Sequence, residues 1–340
     1  MSKVQVGTSP NSMSGGIAAL PPQVCPLALG LAGLGGLLTH WARIQGTDLT
    51  PLPLAFALVA ATLLAAYAAK VLLVPSAVWK DASDPGPLAA LSGGPAAIQA
   101  LAVRFGWLLG PFLTQSTLLA CLSLSLVISC RFAILCFRKG VLPDATWFPA
   151  LLLSGMSVVT VSAAGPAWLQ SYMPGLFWSL MVLYYPLKAI VAYRMLFSAN
   201  RLAILPNAGM NLLMAPASFF TVAHLSSGKP GGDAMGLVLF MDSTVFCLAT
   251  LRMLYVRRAS WAHSFHPSYV AFTFPAASTA TAAVLAAERL PLISGPLLWA
   301  WATLLAAVVT CVIFSVLVRF IWFLSGVTAV VPISKEEKQQ

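Results

Sequence analysis

The residues of this chain best placed to do chemistry are neutral ones. The run from His266 to Leu285, HPSYVAFTFPAASTATAAVL, sets Phe272 and Phe274 ahead of Pro275 and follows them with Ser278, Thr279 and Thr281. Hydroxyls offer dipoles without net charge, and a proline removes a backbone donor and loosens the helix around it. Phe274, Ser278 and Thr281 stand at i, i+4 and i+7, so a helix presents them on one face. That face suits the wall of a narrow, uncharged conduit that an aromatic ring can plug. Spacing alone leaves the bland reading open, in which the rings are ordinary packing aromatics.

The elements that carry such a face lie in a membrane. Of 340 residues, 59% are hydrophobic and 8% charged, and the mean hydropathy is +0.87, a balance foreign to soluble domains. The formal charge of +10 is scattered between apolar spans, so it reads as a topology signal, and no nucleic-acid partner is expected. Six cysteines fall in apolar stretches without a CxxC pair or a histidine at metal spacing, so neither a metal nor a cofactor is expected. Only nine acidic residues occur, with no HExxH, GxSxG, P-loop or dinucleotide fingerprint, and no catalytic residue is assigned.

The expected fold class is an all-α integral membrane protein. Residues 1–19 read as a mobile N-tail, 20–325 as the membrane domain and 326–340 as a short C-tail. Ten spans are expected: Pro21 to Ala42, Pro51 to Leu73, Gly86 to Val103, Trp107 to Phe137, Trp147 to Ala164, Trp168 to Tyr193, Leu202 to Leu225, Asp233 to Val256, the opening run, and Ile293 to Leu324. This division puts 15 of the 19 basic residues at the end that holds both termini and leaves four, Arg43, Arg104, Lys229 and Arg289, at the other. Cytoplasmic ends carry the excess of Lys and Arg, so both termini are expected in the cytoplasm of a cell whose plasma (inner) membrane the chain crosses.

Each odd-numbered span carries a proline (Pro26, Pro95, Pro149, Pro216, Pro275) with Gly, Ser or Thr nearby. Prolines are tolerated in membranes where neighbouring helices or a wet cavity satisfy the freed carbonyls, so the odd spans should face inward. Ser154, Ser157 and Thr160 in the fifth span and Ser218 beside Pro216 in the seventh join the candidate lining.

Ten spans cut as five hairpins, Ala215-Pro216 within the seventh, and the run Ala271-Phe272-Thr273-Phe274-Pro275 in the ninth together resemble the tellurite-resistance/C4-dicarboxylate transporter family. That family includes slow-type plant anion channels and fungal sulfite exporters. The resemblance implies a homotrimer in which each protomer has its own pore, lined by five kinked odd helices and blocked by a phenylalanine of the ninth. By position in the motif the ring is Phe274, with Phe272 the second candidate. Val270 and Asp84-Pro85 depart from the family's usual residues and leave the substrate class open.

No Arg or Lys falls in the middle of an odd span, so an anion would meet hydroxyls, backbone and helix ends and bind weakly. The expected activity is passive transport of small inorganic or organic anions across the bilayer. The alternative is a proton-coupled carrier or exporter of malate or other C4-dicarboxylates, sulfite or a tellurium oxyanion, for which Asp242 and Lys188 are the intramembrane ionisable candidates. His40 and His224, near the ends of odd spans, could make transport pH-dependent. A non-transporting structural or sensory protein is the remaining reading.

Overall fold

Long apolar runs in a medium without water must satisfy their own backbone groups, and here they do so as helices. The structure, a computed structural model, describes residues 13–47, 51–143, 146–197, 212, 214–227, 232–256, 265–290, 293 and 295–325. Among the described residues the principal helices are, in chain order, α1 (Val24–Gln45), α2 (Pro51–Leu73), α3 (Gly93–Arg104), α4 (Gly106–Lys139), α5 (Met156–Ala164), α6 (Met173–Phe197), α7 (Met214–Ser226), α8 (Gly232–Val256), α9 (Thr273–Arg289) and α10 (Pro296–Leu324). Among the described residues there is no strand, and nine helical stretches are long and apolar enough to cross a membrane. The first half of the expected seventh span, from Leu202 to Asn211, lies outside the described residues; α7 carries the rest.

The odd and even stretches differ in how much of them is buried. Of the most apolar window in each, 67% is buried in α1, 61% in the stretch ending in α3, 56% in that ending in α5 and 83% in that containing α9. The even stretches bury only 22–39%. In α7, Pro216 to Thr221 are all buried. The even helices instead expose large apolar side chains such as Val127, Phe137, Val182 and Phe314. A lipid tail is as apolar as leucine, so inner helices are held by close packing rather than by escape from water. The α1–α9 seam illustrates this: a Cβ on Gly30 would stand 2.3 Å from the Thr273 hydroxyl, and one on Gly33 would stand 3.2 Å from Ala277 Cβ.

The five odd-span prolines begin helices rather than kink them. Pro26, Pro95, Pro216 and Pro275 are each the third residue of α1, α3, α7 and α9, and Pro149 is the third of a short helix, Trp147–Leu152, that leads through a 3₁₀ turn into α5. A missing N–H costs nothing there, because the first four donors of a helix have no intrahelical acceptor. The ninth span accordingly runs as a 3₁₀ segment, Pro267–Phe272, before turning α-helical at Thr273.

Other differences from expectation are local. The third span is broken at Ser92, which separates the short helix Pro85–Leu91 from α3. The fourth bends where Gly110 takes a φ of 74° ahead of Pro111. The polar turn after α2 holds a short helix, Pro75–Asp81, and another, Met13–Ala18, lies in the expected N-tail. Lys70, near the end of α2, is turned inward. It is 2% exposed and pairs with Asp81 at 2.7 Å while donating to the Leu20 carbonyl at 2.7 Å.

Candidate functional site

The odd helices leave two cavities between them. The larger, about 730 Å³, is lined from α1, α3, α5, α7 and α9, with Leu54 and Trp107 added from the starts of α2 and α4. The smaller, about 40 Å³, lies toward the helix starts and is walled by Pro26, Pro149, Pro216 and Pro275 together with Leu, Phe, Val and Ala. Among the described residues no polar side chain borders it. Phe219 and Phe274 are the two residues that border both cavities, and their ring centroids are 6.4 Å apart.

Local structure explains where these rings stand. Phe274 is the second residue of α9 and lies beside the α1 seam, where a Cβ added at Gly33 would stand 4.0 Å from its ring edge. Phe219 lies one helical turn beyond the start of α7 and packs on Gly155, where an added Cβ would meet its ring at 2.8 Å. The 3₁₀ turn before α5 therefore seats Phe219 through the absence of a side chain.

Along α9 the cavity-lining face runs Phe274, Ser278, Thr281, Leu285 and Arg289, extending the expected face by two turns. Thr160 also lines the larger cavity. Pro216 and Pro275 border the smaller one. Ser154, Ser157, Ser218, Thr279 and Phe272 border neither. Phe272 and Thr279 sit on the far side of α9, in a small cavity shared with α8 and α10. Ser157 accepts from Gln99 at 2.8 Å, a bond that ties α3 to α5, and Ser218 meets Ser278 at 2.7 Å between α7 and α9.

The lining hydroxyls point their protons at their own helices. Ser278 bonds the Pro275 carbonyl at 3.0 Å, Thr281 that of Ala277 at 2.9 Å and Thr160 that of Met156 at 2.9 Å. A hydroxyl whose proton is engaged by a carbonyl offers an anion little. The donors come instead from the end of the cavity where the odd helices finish. There Arg43, Arg104 and Arg289 line it with His40 and Thr39, each arginine in the last turn of its helix, where a cation also offsets the helix dipole. Sequence reasoning had counted these arginines only as topology signals, and it did not single out Phe219. Their shared signal, a last-turn position on an odd span, was present but did not say that they converge.

Of the two histidines, His40 borders the larger cavity, whereas His224 is fully buried against Gly236 of α8 and near Phe177 of α6. Asp242 of α8 pairs with Lys188 of α6 and accepts from the Tyr184 hydroxyl at 2.9 Å; neither member of the ion pair borders either cavity.

The model of a family described as voltage-dependent anion channels matches residues 19–321. The chain belongs to this family. A search of curated proteins finds no match. Membership in the voltage-dependent anion channel family, with the apolar helices, makes this a multi-pass membrane protein whose function class is transport of anions across the membrane. The tellurite-resistance/C4-dicarboxylate resemblance and the family match point to the same group.

Proposed function

We propose that the chain is a passive conduit for small anions, closed by the ring of Phe274. The observation that carries this reading is that Phe274 borders both cavities, so the only ring of the Ala271-to-Pro275 motif on that path stands between a chamber ending in arginines and an apolar collar of prolines. Hydrophobic constrictions gate by bulk and by dewetting, and a phenyl ring at a nearly dry neck does both. Thr160, Ser278 and Thr281 form the neutral wall along which an anion passes with weak binding and fast release.

Ten helices as five hairpins, with both termini in the cytoplasm and the chain in the plasma (inner) membrane, complete the arrangement. The exposed apolar faces of the even helices suit lipid and neighbouring protomers, and a homotrimer with one path per protomer follows from the resemblance. A proton-coupled carrier of malate, sulfite or a tellurium oxyanion has less support, because Asp242 and Lys188 satisfy each other away from both cavities.

The test is anion current through the purified protein in planar bilayers, comparing the parent chain with Phe274→Ala under chloride, nitrate, sulfite and malate gradients. Removal of the ring is expected to raise a near-silent current at least about tenfold, with reversal potentials that rank the anions. Silence in both proteins, with vesicle uptake that follows a proton gradient, would establish the carrier instead.

A further inference from the structure

Three of the four basic residues that the charge pattern sets at the end opposite the termini converge on one chamber. Arg43 comes from α1, Arg104 from α3 and Arg289 from α9, and all three line the larger cavity. Among the described residues, one carboxylate contacts two of them, Arg43 and Arg289. Glu288 meets His40 Nε2 at 2.9 Å, Arg43 Nη2 at 3.5 Å and Arg289 Nε at 3.6 Å. Arg43 Nη2 also lies 3.0 Å from His40 Nδ1. Together these contacts select one tautomer of a neutral imidazole: Nδ1 accepts from Arg43 and Nε2–H donates to Glu288. The acceptors of Arg104 are both neutral, the Gly35 carbonyl at 3.2 Å and the Thr39 hydroxyl at 2.8 Å.

Among the described residues, then, Arg104 meets no carboxylate, and Glu288 is shared between Arg43 and Arg289. The charge pairing at this end is also loose. The contacts of Glu288 to both arginines are at or beyond hydrogen-bonding reach, and the side chains of Glu288 and Arg43 are 32% and 61% exposed, so water screens the attraction. A guanidinium carries five N–H donors in a planar fork, and Arg104 commits only Nη1 to the protein. Deeper in the same cavity the Thr and Ser protons are already spent on helix carbonyls.

We infer that the arginine end of the cavity is a capture site for small anions, and that Glu288 is a tethered competitor for it. Arg104 makes the first contact. An arriving anion then takes Arg43 or Arg289 from Glu288, whose carboxylate turns to water. The site thus concentrates anions without holding them, and Glu288 sets how tightly. This inference rests on the reading of the larger cavity as the anion's path.

Trp107 provides a probe that does not depend on current, since it borders the same cavity and is 79% exposed. The full chain in lipid nanodiscs is titrated with iodide, an anionic quencher, and with acrylamide, a neutral one. The emission that disappears in Trp107→Phe is the signal. In Glu288→Gln the iodide concentration for half-quenching should fall about threefold, and in Arg104→Gln it should rise about threefold, with acrylamide quenching unchanged in both. A folding defect cannot produce the gain in Glu288→Gln without also moving acrylamide. Iodide quenching equal to the parent in both variants, or acrylamide moving in step with iodide, would mean that the arginines only brace helix ends, and the inference falls. If the iodide shifts appear while Phe274→Ala stays silent in bilayers, capture stands and the conduit reading fails. If Phe274→Ala conducts and iodide is indifferent to both variants, the conduit stands and capture fails.

Discussion

The two cavities are built from opposite ends of α1, α7 and α9, and they could hardly differ more. Where these helices finish, the space is wide and rimmed by three arginines; where they start, it is narrow and walled by prolines, leucines and aromatic rings. The difference is instructive because a helix start is ordinarily an anion trap, with free N–H groups and the positive end of the dipole. A proline as third residue removes one of those donors and turns apolar methylenes toward the path. On the proposed reading, an anion is recruited where it can keep its water and is refused tight binding where the path closes. Capture and closure are then kept apart along one axis, with the Phe219–Phe274 pair at the boundary.

This contrast can be attacked from either side. The largest effect belongs to Phe274, as set out above. Phe219→Ala should raise bilayer current less, because a ring-to-ring contact is worth about 0.5–1.5 kcal/mol and its loss shifts the closed–open balance by about 2- to 10-fold. If Phe219→Ala equals or exceeds Phe274→Ala, the principal gate is on α7 rather than α9. On the wide side, Gly36 lines the chamber and an added Cβ would meet nothing within 4 Å. Gly36→Leu in the Phe274→Ala background should therefore cut the current severalfold at an unchanged melting temperature, and a current left intact would place the path elsewhere.

Away from both cavities, Asp242→Asn should leave the Phe274→Ala current within about twofold while lowering thermal stability, since it leaves Lys188 without its counter-charge. Loss of all transport in that variant would return the ion pair to the mechanism. The smallest effect concerns His266, just ahead of the 3₁₀ segment that leads into α9. Its Nδ1 accepts from the Ser268 amide at 3.2 Å and so caps the start of that segment. His266→Ala should accordingly lower the melting temperature slightly and leave the Phe274→Ala current unchanged, as thermal melts and bilayer recordings can show.

Much of this was legible from residue order. The apolar runs, the uneven distribution of Pro, Gly, Ser and Thr between odd and even spans, and the shared face of Phe274, Ser278 and Thr281 could all be read from composition and a 3.6-residue period. The division into inner and outer helices follows from them and agrees with the burial of the described stretches. Less legible was the work of each proline, because the same residue kinks a helix from the middle and starts one from the third position. Helix limits were what decided between them. Phe272 and Phe274 are two residues apart, so a period separates them by a large angle but cannot say which side of α9 meets a cavity.

What the sequence by itself determined is a family, a membrane and a set of helices, because hydrophobic periodicity and helix-start chemistry are local. Tertiary structure alone decided which faces meet. It placed Phe219 of α7 beside Phe274 of α9, turned Phe272 toward α8 and α10, set the lining hydroxyls on carbonyls of their own helices, and gathered Arg43, Arg104 and Arg289 at one end of the larger cavity. Those outcomes depend on the register of one helix against another, which close approach at glycines such as Gly30, Gly33 and Gly155 sets and which no single helix encodes.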